Sequence, residues 1–380
     1  MSNATWMSNS SVQSLEIGKI VLPGTHDSGS YSIQRGVLSQ INYGNINFLW
    51  QINSGSAPAN GSAPWSNPLP GMPNLLNPIN EKNSEDGFSN LNYLYLGQSM
   101  YNMVMDVAYD MSRSQDNTIL QQLNDGIRYF DLRVYWDTNL NGFYIQHGLC
   151  GCSFSQVLSD VSAFINANTT ASELIVLVVS HLNIASGSVE ATSLANLISA
   201  NLPKGALYEP PSVSAGTDPF LSLATSTIGS LTGGSNKVLV LNGDYPSISY
   251  DSVLFNSVGY TAFPNGDYGT DSLTALSSAA EQAMGQMTSG NLGRLSWCLT
   301  CQTQDAITDV VNQLSGASGT LPALQGLAVT ANNGLPNFLN GLDSAQTNTI
   351  NCITVDWYEQ TTGQNVVQLA INMNTARAGA

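Results

Sequence analysis

The stretch Leu22–Tyr31, LPGTHDSGSY, follows the apolar run Ile20-Val21-Leu22 and sets a histidine beside an aspartate in a Gly/Ser-rich turn. A short apolar run closed by turn residues reads as a buried strand, which puts His26 and Asp27 just past its C-terminal end. The placement is selective, because the chain holds only three histidines.

Seven further runs of strand length follow: Ile127–Val134, Phe143–Gln146, Leu174–Val179, Lys237–Leu241, Arg294–Leu299, Gly326–Thr330 and Asn351–Val355, with Lys19–Leu22 as the first. Several are too continuously apolar for a half-exposed sheet and suit parallel strands covered on both faces. Helix-like stretches at Thr118–Asn124, Ser153–Ala167, Glu190–Ala200, Ser272–Met287 and Asp305–Gln313 alternate with them. This order favours an α/β, TIM-type (β/α)8 barrel. One such domain is expected over residues 12–372, with allowance for distortion; a doubly wound open sheet is the alternative. Residues 36–100, rich in Asn, Pro and Gly, form a long insertion after the first strand. It reads either as a lid or lipid-facing rim, or as an ordered excursion with its aromatics buried. A second insertion, 205–235, reads as loop.

In a parallel barrel the C-terminal strand ends share one site. That rule gathers His26 and Asp27, Asp131 and Arg133 in GIRYFDLRVYW, His147 in FYIQHGL, His181 in LIVLVVSH, Asp244 and Tyr245 in LVLNGDY, and Asp356 in ITVDWYE. All three histidines fall at such ends, and His26 is expected to meet His147. One neutral imidazole can take a proton from an attacking hydroxyl and a second, as imidazolium, can protonate a leaving oxygen. An arginine can hold charge gathering on phosphorus oxygens, so the set suits phosphodiester cleavage. Carboxylates on the far ring nitrogens would fix the tautomers, with Asp27 and Asp356 the nearest candidates. Taken singly each residue is ordinary: a histidine at a strand end is more often structural, and Asp beside Arg is more often an ion pair.

Composition narrows the partners. The net charge is −16, charged residues make up 9% of the chain and only ten are Lys or Arg. No basic cluster exists to neutralise a nucleic-acid backbone, so nucleic acid is not expected as a partner. The same shortage argues against electrostatic capture by an anionic bilayer and against a headgroup with several extra phosphates. No apolar run approaches the ~20 residues of a membrane-spanning helix. The first twenty residues lack the layout of a secretory signal, and the chain is expected to begin after a cleaved leader. Five cysteines occur as Cys150-Gly-Cys152, Cys298-Leu-Thr-Cys301 and Cys352. Their spacing is not that of a zinc ribbon; disulfides with one thiol left over are expected, and with them a secreted or extracytoplasmic location.

The segments LPGTHDSGSY, DGIRYFDLRV and QHG, in this order, resemble the X-region signatures of the phosphatidylinositol-specific phospholipase C superfamily. The resemblance is strongest to its bacterial metal-independent branch, the phosphatidylinositol diacylglycerol-lyases. It is strong over residues 18–31, 123–148 and 172–182 and weak elsewhere. It implies a TIM-type barrel, His26 as general base for the inositol 2-hydroxyl and His147 as general acid toward the diacylglycerol oxygen, with Asp27 as partner of His147. It also implies that Arg133 contacts the phosphate where calcium-dependent members carry an acidic ligand, that Asp131 anchors this arginine, and that Asp356 partners the base. Ser180-His181-Leu182-Asn183 replaces the glutamate or lysine found in other members at that strand end, leaving His181 as a substrate-binding or a structural residue. Asp244, Tyr245 and Trp297 are candidate contacts to the inositol ring. The implied activity releases diacylglycerol and inositol 1,2-cyclic phosphate from phosphatidylinositol, with no metal or other cofactor and with transient membrane contact. Two alternatives stand: a phosphodiesterase for a soluble glycerophosphoinositol or a glycosylphosphatidylinositol anchor, and a non-catalytic lipid- or sugar-binding barrel.

Overall fold

The computed structural model describes residues 2–35, 106–138, 140–182, 189–209, 223–243, 260–263, 269–287, 292–302, 305, 308–309 and 321–379. The insertion at 36–100 and the residues Asp244 and Tyr245 lie outside them.

Among the described residues nine strands form one mixed sheet: β1 (Leu22–Thr25), β2 (Tyr129–Asp137), β3 (Gly142–His147), β4 (Leu149–Ser153), β5 (Leu174–Ser180), β6 (Lys237–Asn242), β7 (Tyr260–Phe263), β8 (Leu292–Ser296) and β9 (Ile350–Val355). Parallel ladders run in the spatial order β6-β5-β2-β1-β9-β8-β7. With helices between the strands, this is a TIM-barrel-like α/β fold; among the described residues no ladder joins β6 to β7.

Strand β5, LIVLVVS, is buried along its whole length, as a parallel strand covered on both faces must be. Its residues alternate between two clusters. Leu174, Val176 and Val178 point into the barrel with Tyr129, Leu239, Leu241 and Cys352, whereas Ile175, Leu177 and Val179 point outward with Phe130, Leu132, Val240 and Ile353. Helices complete the outer layer. Phe154–Ala167 buries Phe154, Val157, Leu158, Val161, Phe164 and Ile165 at helical spacing, and Ser153 caps its first turn by accepting from Gln156 N.

The floor of the barrel is closed by the N-terminal segment, whose Trp6, Met7, Val12 and Ile17 join the inner cluster. An ion pair with no exposed surface holds it there. Arg128 donates through Nε and Nη2 to Glu173 Oε2 at 2.9 and 2.8 Å, while Glu173 accepts from the backbone of Met7 and Ser8.

The sequence-based strand assignments need four corrections. Residues 17–19 are a turn, and the first strand begins at Leu22. Gly326–Thr330 lies inside the helix Ala323–Gly341. Its buried Leu324, Ala328, Ala331 and Leu335 recur at helical spacing, a period that a five-residue window cannot display. The missing parallel strand is Tyr260–Phe263. The run around Phe143 is no barrel strand at all: β2 leaves the barrel at Val134 and pairs antiparallel with β3, which pairs in turn with β4. The region read as loop at 205–235 contains the helix Ile228–Thr232, whose Ile228 and Leu231 pack on the floor.

All five cysteines are free thiols, against the disulfides expected. Cys150 and Cys152 stand two residues apart on extended β4, about 6.6 Å along the strand, at the outer limit for a bridge.

Glu173→Ala should lower unfolding stability by about 3–5 kcal/mol, because it strands a buried guanidinium. A paired Arg128→Met/Glu173→Leu variant should recover much of that loss in urea denaturation; equal destabilisation in both variants would mean that the ion pair is not what fixes the floor.

Candidate active site

Strand β1 is the central stave. It pairs with β2 on one side (Gly24↔Tyr129, Thr25↔Phe130) and with β9 on the other (Leu22↔Cys352 through Thr25↔Val355). The fit is tight enough to demand glycine at position 24, where a Cβ would come within 2.9 Å of the Thr354 methyl and 3.1 Å of Tyr129. Beyond Thr25 the ladder continues for one more bond, His26 N donating to Val355 O at 3.1 Å. Strand alternation turns His26 inward, and the register sets it beside Asp356 at the end of β9.

The His26 ring is held at both nitrogens. Nδ1 lies 2.9 Å from Asp356 Oδ1, and Nε2 lies 3.1 Å from Arg133 Nη2 and 3.5 Å from Asp27 Oδ2. Arg133 comes from the last barrel-bound turn of β2 and forms an ion pair through Nε with Asp27 Oδ1. His147, at the tip of β3, brings Nε2 to 3.3 Å from Asp27 Oδ2 and donates through Nδ1 to the carbonyl of Ser112 at 2.8 Å. Both imidazole Nε2 atoms thus face the same carboxylate oxygen, close enough together to flank one phosphate.

Asp27 is 2% exposed and carries a left-handed backbone, φ +43°. Burial opposes its ionisation, but Arg133, then His147 and His26, outweigh that penalty and hold the carboxyl well below the usual carboxylate range. For His26, burial disfavours the charged ring, yet the carboxylates of Asp27 and Asp356 dominate and raise its pKa well above the ordinary value. His147 moves the opposite way: burial and the nearby Arg133 outweigh Asp27 and lower it.

The remaining candidates divide. Asp131 stands two residues before Arg133 on the same inward face, with a carboxylate oxygen within 4.8 Å of ligand atoms of both His26 and Asp27; the ion pair seen for Arg133 runs to Asp27, not to Asp131. His181 follows β5 in a left-handed conformation, φ +63°, with its Nδ1 2.8 Å from Ser180 Oγ, and lies near enough to add to the field on Asp27. Trp297 is not at the mouth. It points outward, fully buried, donates through Nε1 to Ala331 O at 2.7 Å and stacks on Phe338. Alternation along β8 requires this, since Arg294 and Ser296 take the inward positions.

Two positioning residues carried no signal in the sequence. Gln115 donates through Nε2 to His26 O at 3.0 Å and Val355 O at 2.9 Å, tying the ends of β1 and β9 together. Asn332 donates to Asp356 O and Trp357 O, both at 2.9 Å.

Among solved structures, the fold is similar over 98% of the chain to a phosphatidylinositol-specific phospholipase C from Listeria monocytogenes, with a TM-score of 0.55, 17% identity and 99% of that chain covered. It is likewise similar over 98% of both chains to the phosphatidylinositol-specific phospholipase C of Staphylococcus aureus, with a TM-score of 0.54 and 14% identity. The fold is therefore the TIM-barrel-like one of the bacterial phosphatidylinositol-specific phospholipases C, as the three sequence segments implied. In sequence, a stretch of 77 residues is 36% identical to a variant-surface-glycoprotein phospholipase C of Trypanosoma cruzi; the match spans 20% of this chain and 20% of that relative. No family model matches the chain.

With only three histidines in the chain, ring titration by NMR can follow His26 directly. Asp356→Asn should lower the His26 pKa, because it removes a contacting carboxylate that raises it; an unmoved titration would show that Asp356 does not govern the ring.

Proposed function

We propose that this protein is a phospholipase C of the phosphatidylinositol-specific type, cleaving an inositol phospholipid by intramolecular transfer without a metal ion. The observation that carries the reading is the convergence of His26, His147 and Arg133 on the Asp27 carboxylate. Two imidazoles with opposed pKa shifts and one guanidinium form a set that fits a single phosphodiester.

In the proposed reaction His26 Nε2 takes the proton of the inositol 2-hydroxyl, whose oxygen forms the new bond to phosphorus. The bond from phosphorus to the diacylglycerol oxygen breaks, and His147 Nε2 delivers the proton that this oxygen requires. Arg133 holds the non-bridging oxygens, and Asp27 and Asp356 steady the rings. Diacylglycerol and inositol 1,2-cyclic phosphate leave. The nucleophile belongs to the substrate, so the tethered attack draws on the effective concentration of a positioned group. Hydrolysis of the cyclic ester follows with the two histidines exchanging roles.

The opposed shifts fix the form of the pH dependence. The base, His26, has the higher pKa and the acid, His147, the lower one. Between the two the pair carries one proton, and the productive arrangement is the less populated of its two placements. The profile of kcat/KM is then a bell: activity falls at low pH as His147 and His26 both become protonated, and at high pH as both lose their protons. The acid limb belongs below the ordinary histidine value of about 6.5 and the alkaline limb above it.

Membrane contact and an extracytoplasmic location are part of the proposal. Among the described residues, the exposed large apolar side chains are Leu140 in the turn between β2 and β3, Val189 at the start of the helix after β5, and Leu321 just before the helix Ala323–Gly341. No helix is long and apolar enough to cross a membrane among the described residues. The name of the trypanosome relative supports a second substrate reading, a lipid whose inositol carries a glycan. The clustering of His26, His147 and Arg133 around Asp27 at the strand ends favours an enzyme over a non-catalytic barrel.

Phosphorus NMR of a reaction on micellar phosphatidylinositol should show a cyclic phosphodiester signal in excess chelator, and His26→Ala or His147→Ala should slow its appearance by about 10²–10⁴-fold. Direct formation of the monoester, or equal rates in the variants, would overturn the mechanism; faster turnover of a soluble glycerophosphoinositol would replace the lipid substrate. The kcat/KM profile should be the bell described, and Asp356→Asn should draw its alkaline limb downward. A limb that stays put would remove His26 from the role of base.

A further inference from the structure

Cys298 takes no part in the reaction proposed above, yet it lies against the base. Extended backbone continues past β8, Trp297 N donating to Thr354 O at 2.8 Å, so that Trp297 faces outward and Cys298 inward. Its thiol is 2% exposed and sits 3.7 Å from Thr354 O, beside the His26–Asp356 pair. A ring nitrogen of His26, a carboxylate oxygen of Asp356 and Cys298 Sγ all lie within 4.8 Å of one another.

We propose that these three residues form an inhibitory site for a thiophilic divalent cation of the zinc class, which disables the base when it binds. Imidazole, carboxylate and thiolate are the three side-chain donors that zinc accepts, and three protein ligands leave a fourth position for water. The separations exceed those inside a tetrahedral shell only modestly, and Nδ1 and Oδ1 are already 2.9 Å apart. The ion replaces the proton between His26 Nδ1 and Asp356 and the proton of the thiol, and both go to solvent. Without an ion Cys298 is a neutral thiol, because burial pushes it up to about 12. Once an ion occupies Nδ1, the imidazole has lost the carboxylate that raises its basicity and faces a positive charge instead, so it no longer accepts the proton of a hydroxyl.

The inhibition rests on the function proposed above, whereas the binding does not, and the experiment separates the two. Cobalt(II) added to the chelator-treated, full-length protein should give a thiolate-to-cobalt charge-transfer band that zinc abolishes and that is missing in Cys298→Ala. Zinc should inhibit the wild type, and Cys298→Ala should keep the wild-type rate in chelator while needing about tenfold more zinc, or yet more, for the same inhibition. Cys298→Ser serves as a second variant if the alanine form folds poorly. A cobalt complex without the thiolate band, or unchanged zinc sensitivity in both variants, would overturn the site. A band with no catalytic activity in any form would keep the site and reject the phospholipase reading.

Discussion

The mouth of this barrel depends on the neutralisation of one buried carboxylate. An unpaired Asp27 would be intolerable at 2% exposure, since a lone buried charge costs several kcal/mol even after relaxation. Its partners come from three separate pieces of chain: Arg133 from β2, His147 from the hairpin that leaves the barrel, and His26 from its own turn. A chain with only ten Lys and Arg residues sets one of them here. The carboxylate therefore does more than support a ring. It also draws the tip of the β3 hairpin to the C-terminal end of β1 through His147.

A second constraint is register. Side chains on a strand alternate, so a slip of one residue between β1 and β9 would turn His26 out of the barrel and break its bond to Asp356. Gly24, wedged between Thr354 and Tyr129, and the double clamp of Gln115 on His26 O and Val355 O oppose that slip. The left-handed residues Asp27 and Trp357, φ +43° and +38°, then end the two strands abruptly just beyond the paired His26 and Asp356. Such conformations cost of order 1–3 kcal/mol each and persist where the surroundings over-determine them.

What could be read from the chain beforehand follows the range of each signal. Continuous apolar runs mark buried parallel strands wherever they occur, which is why β5, β6 and β9 stand out and why His26, Arg133 and Asp356 were legible at strand ends. The hairpin was not. Phe143–Gln146 is as apolar as a barrel strand, and only pairing with β2 makes it antiparallel, yet His147 reaches the site all the same because it ends a strand that starts beyond the mouth and turns back. Trp297 failed for the opposite reason. Its neighbourhood was right, but the face of β8 is decided by parity, and nearness to a strand end says nothing of it: Trp297 shares the outward parity of Leu295. Gln115, Asn332 and the Ser112 carbonyl act through hydrogen bonds with distant backbone, for which no local pattern exists.

Under the proposed function, the opposed histidine shifts assign part of the work to the substrate. In the free protein Arg133 lies close to both rings and contributes to keeping His147 uncharged. A phosphodiester carries one negative charge, and its arrival between the rings has two consequences. It draws Arg133 toward its own oxygens, and it supplies the charge that favours imidazolium at His147. At His26 the carboxylates of Asp27 and Asp356 raise the ring before any substrate arrives. With Arg133 drawn to the phosphate, the repulsion it exerts on a charged His147 is offset, and the proton that the leaving oxygen needs is held there at lower cost. A neutral ester lacks that anionic oxygen and supplies no such charge, so preference for an anionic phosphodiester arises from the protonation of His147 as well as from the contact with Arg133.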